Sequence, residues 1–301
     1  MTLRFGVHAG LQNTTSRELR DLWVRVEDRG FEWISVWDHF YAADPSGSAV
    51  CLEAVATHAA LALATRRVRC GSLVYSVGYR HPAVLANAVA TIDQLSEGRA
   101  VLGLGAGWHQ GEYDAYGIPF PSAAVRLAQL EEAVQCVRGL LTQETTTFTG
   151  EHFQLRDARC EPKPVQDRLP IWVGGGGERY TLRIVARHAD GWNVPFIPPD
   201  EYARKVGVLD GHCEREGRDS AAITRAVNVG LAWSDADIQT QFGGMTDFVR
   251  PGVLTGTTQQ VVDRVGEYAD AGAEWLIVAV RAPFHPESLD RFAEEVVPAI
   301  R

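Results

Sequence analysis

Short runs of apolar and β-branched residues alternate along the chain with longer stretches whose apolar positions recur at helical spacing. The short runs lack the in-out alternation of a half-exposed sheet and read as buried parallel strands. They fall at 3–8, 32–38, 67–75, 100–105, 170–174, 189–194, 225–232 and 275–281. Amphipathic stretches lie between them at 16–29, 51–65, 82–95, 122–142, 178–188, 199–217 and 258–271, with a last one at 286–300. Ser16 with Glu18 fits a capped helix start, Gly30 and Gly272 fit helix ends, and Pro82 fits a first helical turn. Eight strands, each followed by a helix, is the count of a closed (β/α)8 or TIM barrel. An open doubly wound sheet normally begins with a glycine-rich dinucleotide loop after its first strand. Here the first strand runs into His8-Ala9-Gly10-Leu11, which has no such loop. The expected fold is therefore α/β, a (β/α)8 TIM barrel with insertion segments, forming one domain over 1–301.

Three segments exceed ordinary loop length, at 106–121, 143–169 and 233–257. Insertions of this size carry function or cover a barrel end. Within the second, 145–149 and 152–155 flank Gly150 as a small hairpin.

Composition narrows the function classes. With 46% hydrophobic and 22% charged residues, the chain has material for a sizeable core and is neither disordered nor fibrous. A formal charge of −9 argues against a nucleic-acid or membrane-surface partner. The longest apolar stretch, near 51–64, is broken by Glu53, Thr57 and His58 and is not a membrane span. Five scattered cysteines without a CxxC pair, and a start lacking an apolar leader, give the expectation of a reduced, cytoplasmic protein. No HExxH, ligand-spaced carboxylate cluster or GxSxG elbow occurs, so neither a metal site nor a serine hydrolase is expected.

In a barrel the working residues lie at the carboxyl ends of the strands. Those positions hold His8, Asp38 and His39, Ser72 to Tyr75, Gly105 to His109, Gly174 to Gly177, Asn193 and Arg281. A carboxylate beside an imidazole handles a proton, or simply caps a loop. The run Gly174-Gly175-Gly176-Gly177 leaves main-chain N–H groups free to converge on an anion at a helix start; four glycines cost too much backbone entropy for a mere turn. Glu178 fits that reading only with its side chain turned away. In Gly103-Leu104-Gly105-Ala106-Gly107-Trp108-His109, alternate glycines mark a close approach by ligand or backbone. Trp108 there walls a planar ligand or sits in the core. These residues alone indicate a phosphorylated ligand or cofactor.

Trp37-Asp38-His39, the block CGSLVYSVGYRHPAVLANAVATIDQLSEGRAVLGLGAGWHQGEYDAYGIPFP (70–121), EPKPVQDRLPIWVGGGGERYTLRIVARHADGWN (161–193) and GTTQQVVDRVGEYADAGAEWLIV (256–278) occur in order. Together they resemble the luciferase-like monooxygenase superfamily, and within it the branch of oxidoreductases using the deazaflavin coenzyme F420. The resemblance implies a ring-bearing cofactor in the barrel mouth, contacted by Asp38, Ser72, Leu73, Val74, Gly107, Trp108 and the phosphate cradle Gly174, Gly175, Gly176 and Gly177. It also implies a non-proline cis bond behind the ring at Ser72–Leu73, a homodimer, and hydride exchange with a small organic substrate. His39 and Asp38 then stand near the reactive edge, with His39 holding the proton and His109 a second candidate. The sugar-phosphate dehydrogenase of this branch carries a glutamate where this chain has Trp108. Its substrate-phosphate lysine is replaced by a stretch containing Pro195, Pro198 and Pro199. Glucose 6-phosphate is accordingly not the expected substrate. The alternatives are an FMN-dependent monooxygenase served by a separate reductase, and a non-catalytic flavin-binding protein.

Overall fold

The structure is a computed structural model and describes residues 2–42 and 50–300. Its strands are β1 (Arg4–Ala9), β2 (Trp33–Val36), β3 (Arg69–Ser72), β4 (Tyr75–Ser76), β5 (Ala100–Gly105), β6 (Thr146–Thr149), β7 (Gln154–Ala158), β8 (Ile171–Gly174), β9 (Gly191–Pro195), β10 (Thr224–Leu231), β11 (Val253–Leu254) and β12 (Trp275–Val280). The order β1-β2-β3-β5-β8-β9-β10-β12 is parallel throughout, and β12 pairs back onto β1 with Arg4 opposite Trp275. The sheet is thus a closed (β/α)8 barrel, as the eight-strand count requires.

Alternation along these strands sorts two cores. Ile34, Leu102, Val173, Val227 and Val278 face the surrounding helices in the main core, while Trp33, Val101, Trp172, Ala226, Trp275 and Ile277 form the second, inside the barrel. Trp33 stacks on Trp172 with ring centroids 4.6 Å apart. Its indole occupies the space beside Gly71, where an added Cβ would lie 2.2 Å from Cζ2. Gly71→Ala is expected to destabilise the fold by about 1–3 kcal/mol through overpacking, measured as a lowered urea midpoint; an unchanged midpoint would mean the barrel interior is looser than these distances imply.

Around the barrel run α1 (Ser16–Asp28), α2 (Ala54–Ala64), α3 (Pro82–Leu95), α4 (Gln110–Ala115), α5 (Ala123–Thr142), α6 (Thr181–His188), α7 (Pro199–Glu216), α8 (Asp235–Phe242), α9 (Thr246–Val249) and α10 (Thr258–Asp270), then a helical segment over 286–300 with a π-helical turn at Phe292–Val296. The first helix is capped by Thr15, one residue before the expected start, in a reciprocal box with Glu18. β6 and β7 pair as the expected hairpin. The third strand is not continuous over 67–75: it breaks after Ser72 and resumes at Tyr75, with the cis peptide at Leu73–Val74. The expected position, Ser72–Leu73, is therefore corrected by one residue. The insertion 106–121 holds α4, and 233–257 holds α8, α9 and β11, which adds to β10.

Candidate active site

The carboxyl ends of the strands open into a cavity of about 710 Å³, within the range of small-molecule sites. Asp38, His39, Leu73, Val74, Gly107, Trp108, His109, Gly174 and Gly175 all line it, as do His8, Asn193 and Arg281. Ser72, Gly176 and Gly177 are not among its lining residues. The fully buried Ser72 hydroxyl donates to the Gly103 carbonyl at 3.1 Å and accepts the Gly103 N–H at 3.0 Å. It stitches β3 to β5 rather than facing the mouth.

His39 and Asp38 are adjacent in sequence but have separate partners. His39 Nδ1 lies 2.7 Å from Glu112 Oε2, on the short helix α4. The fully buried Glu112 carboxylate also accepts the Phe40 N–H at 2.6 Å, the Tyr41 N–H at 2.9 Å and the Tyr79 hydroxyl at 2.6 Å. Burial pushes its pKa up, but the hydrogen bonds from His39, Tyr79 and the main chain outweigh this and hold it at about 2. Burial and the same carboxylate keep the Tyr79 phenol protonated. An ionised Glu112 accepting from Nδ1 leaves His39 Nε2 for the cavity, the orienting arrangement seen wherever a carboxylate fixes a histidine's tautomer.

Asp38 accepts the Ser76 N–H at 2.9 Å and Arg80 Nη1 at 2.7 Å through one oxygen, Oδ2. Arg80 in turn pairs with Glu53. Burial raises the Asp38 pKa, with Arg80 opposing. Its other oxygen, Oδ1, is buried without a hydrogen-bond partner. Such an atom is costly unless a ligand donor meets it.

Below the mouth, Val74 fills a seat made by glycines. A Cβ on Gly105 would lie 2.5 Å from Val74 Cγ2, and one on Gly174 2.7 Å from Val74 Cγ1. The alternate glycines of β5 thus mark close approach by the β3–β4 bulge. His8, bonded to Ser35 Oγ at 2.9 Å, is held neutral: burial, then the charges of Arg281 and His39, lower its pKa to about 3.

The glycine turn is anchored from outside. The Gly175 carbonyl accepts the Trp192 indole N–H at 2.9 Å, the Gly176 carbonyl accepts Lys205 Nζ at 2.9 Å, and the Glu178 carbonyl is bonded by His212 Nε2 at 2.7 Å. The Glu178 side chain is drawn to Arg204 and Lys205, away from the turn. The Gly175 N–H is already donated to Asn193 O at 2.9 Å. A three-residue turn separates the glycines from α6, which starts at Thr181 rather than 178 and has no side-chain cap. Thr181 itself reaches the cavity wall.

Trp108 is 58% exposed and lines the cavity, so it does not sit in the core. Its ring meets His39 edge to face, with centroids 5.4 Å apart. His109 Nδ1 accepts the Glu112 N–H at 3.3 Å as the cap of α4, its ring 6.0 Å from that of His39. Arg281 is buried, 4.8 Å above the Trp37 ring and 5.2 Å from that of Phe242.

Sequence reasoning missed Glu112, Tyr79, Arg80 and the aromatic side chains of Phe196 and Phe248. Only Glu112 had a local signal, its i+3 spacing from His109 in a helix start. Among the described residues no cluster of three or more His, Cys, Asp or Glu has metal-binding geometry, and no helix is long and apolar enough to cross a membrane.

Comparison with known proteins places this geometry. The family model described as luciferase-like monooxygenase matches residues 1–241. An F420-dependent glucose-6-phosphate dehydrogenase of Nakamurella multipartita is 34% identical, over 99% of this chain and 97% of its own. One from Amycolatopsis mediterranei is 33% identical over 99% of each. In solved structures, an F420-dependent secondary alcohol dehydrogenase in complex with an F420-acetone adduct superposes with a TM-score of 0.88 at 21% identity, covering 100% of both chains. The coenzyme F420-dependent tetrahydromethanopterin reductase from Methanopyrus kandleri follows with a TM-score of 0.84 at 18% identity, again over 100% of both. The family match over most of the chain and two relatives above 30% identity lead to one conclusion: this chain belongs to the luciferase-like monooxygenase family.

Proposed function

We propose that the chain is a coenzyme F420-dependent oxidoreductase that exchanges a hydride between the deazaflavin C5 and a small organic substrate. The observation that carries this reading is one cavity holding both an oriented histidine, His39 on Glu112, and a glycine turn at an uncapped helix start. Support for F420 in particular comes from the names of relatives 33% and 34% identical over 99% of this chain.

The residues present fit such a cofactor. Asp38 Oδ1, buried and lacking a donor, suits a ring N–H. Val74 and Leu73 offer an apolar surface for a flat ring. Thr181, beside the glycine turn at the start of α6, would hold the phosphate, where a helix dipole favours an anion. The cofactor supplies the two-electron hydride chemistry. The protein binds, orients and excludes water, and His39 Nε2 gives or takes the accompanying proton. In reduction of a carbonyl, His39 would give a proton from Nε2 to the carbonyl oxygen while Nδ1 stays on Glu112.

Thr181→Val keeps the shape of the helix start and deletes its hydroxyl. It is expected to weaken F420 about tenfold, the value of one lost charge-assisted hydrogen bond, as read from quenching of deazaflavin fluorescence, with an unchanged melting temperature. Unaltered affinity would remove the phosphate from this end of the cavity.

A further inference from the structure

Part of the cavity wall neither holds a proton nor receives an anion. It is formed by Trp108, Phe196, Met245 and Phe248. Trp108 and Phe248 are 58% and 59% exposed, and Phe248 lies 6.2 Å from Phe196 between centroids. A lone exposed apolar residue needs no explanation, but several sharing one cavity wall with a proton-handling histidine do.

Phe196 adds an independent observation. It sits at φ +56°, in the left-handed region that a bulky side chain rarely enters. Its N–H donates to Asn228 O at 2.8 Å, and Gly252 packs so close that a Cβ there would lie 2.4 Å from the Phe196 Cα. The surroundings therefore enforce this backbone, and residues so held cluster at ligand sites. What the arrangement achieves is to place a phenyl ring in the cavity wall, braced edge-on by Phe242 with centroids 5.8 Å apart. Met245 beside it is an adaptable filler for variable ligand outlines.

The geometry points to a substrate whose body is flat and apolar, an aromatic ketone or aldehyde, with its carbonyl at His39 and its ring along Trp108, Phe196 and Phe248. Trp108 meets His39 edge to face, which puts the indole beside the imidazole in the same wall. A polyhydroxylated sugar phosphate would press hydroxyls against side chains that cannot pair with them, which is costly. This inference rests on the redox reading of the cavity and specifies what it accepts.

The test is equilibrium dialysis of 2-acetonaphthone and of glucose 6-phosphate against the F420-loaded wild type and its Trp108→Ala and Phe248→Ala variants. Both substituted side chains are exposed, so the melting temperature should hold. The expected result is that 2-acetonaphthone binds the wild type more tightly than glucose 6-phosphate does. Each variant should weaken the ketone about tenfold, the value of one aromatic contact surface, and Phe248→Ala should leave F420 affinity within about threefold. Preference for the sugar phosphate, or ketone binding unchanged in both variants, overturns the apolar wall while leaving the cofactor reading intact. If F420 does not bind at all, that reading fails by itself. The same dialysis on the cofactor-free protein then decides the wall by the same criterion.

Discussion

His39→Ala is expected to lower kcat by about 10²-fold or more, the usual contribution of a positioned acid or base, while F420 affinity stays within about threefold. The expectation follows from His39 being held through Nδ1 by Glu112 at 2.7 Å, which leaves Nε2 for a substrate in the cavity. Steady-state kinetics with reduced F420 and an accepted substrate, set beside a fluorescence titration, separates the two effects. Equal losses in kcat and cofactor affinity would make His39 a binding residue and leave the proton to another group.

Glu112 is expected to matter as much, by a different route. Glu112→Ala strands the Phe40 and Tyr41 N–H groups, the Tyr79 hydroxyl and His39 Nδ1 in a buried site. Removing a buried charge from its partners costs about 3–5 kcal/mol, which should appear as a large fall in the urea midpoint. Glu112→Gln retains an oxygen for the two main-chain donors but presents an amide to His39 and Tyr79. It should fold, yet lose much of the kcat, because His39 Nδ1 must then accept and the ring's tautomer is reversed. A Glu112→Gln enzyme with full activity would show that His39 needs no orientation.

The same carboxylate sets a pH dependence. Its pKa falls from 4.5 to about 2 on folding, so the unfolded chain binds the proton more readily than the folded one. The stability it contributes is fully present above about pH 4.5 and is lost as pH falls towards 2. Wild type should therefore destabilise more steeply than Glu112→Gln across that interval when unfolding free energy is followed by urea titration. Parallel curves would mean that Glu112 titrates alike in both states.

The barrel itself was legible because each buried strand is a short apolar run and each helix a periodic one. The strand ends then nominated Asp38, His39, Gly107, Trp108, Gly174 and Gly175, all of which line the cavity. What escaped depends on closure. Glu112 reaches His39 across 73 residues, from an insertion that reads as loop. Adjacency suggested Asp38 as the partner of His39, whereas neighbouring residues at a strand end diverge, and Asp38 turns to Arg80 and Ser76. Ser72 and the cis bond were displaced for one reason: the pattern shows an apolar run over 67–75 but not where the strand breaks. Gly176 and Gly177 lie at the back of the turn, where Lys205, Val194 and Thr181 are their nearest neighbours. The left-handed Phe196 has no signature in a stretch that reads only as proline-rich.

The central claim is that this cavity receives a deazaflavin, and side-by-side fluorescence titrations of the purified chain with F420 and with FMN test it most directly. Saturable quenching by F420, with a Kd at least about tenfold below that for FMN, is the predicted result. Tight FMN binding with no response to F420 would contradict it.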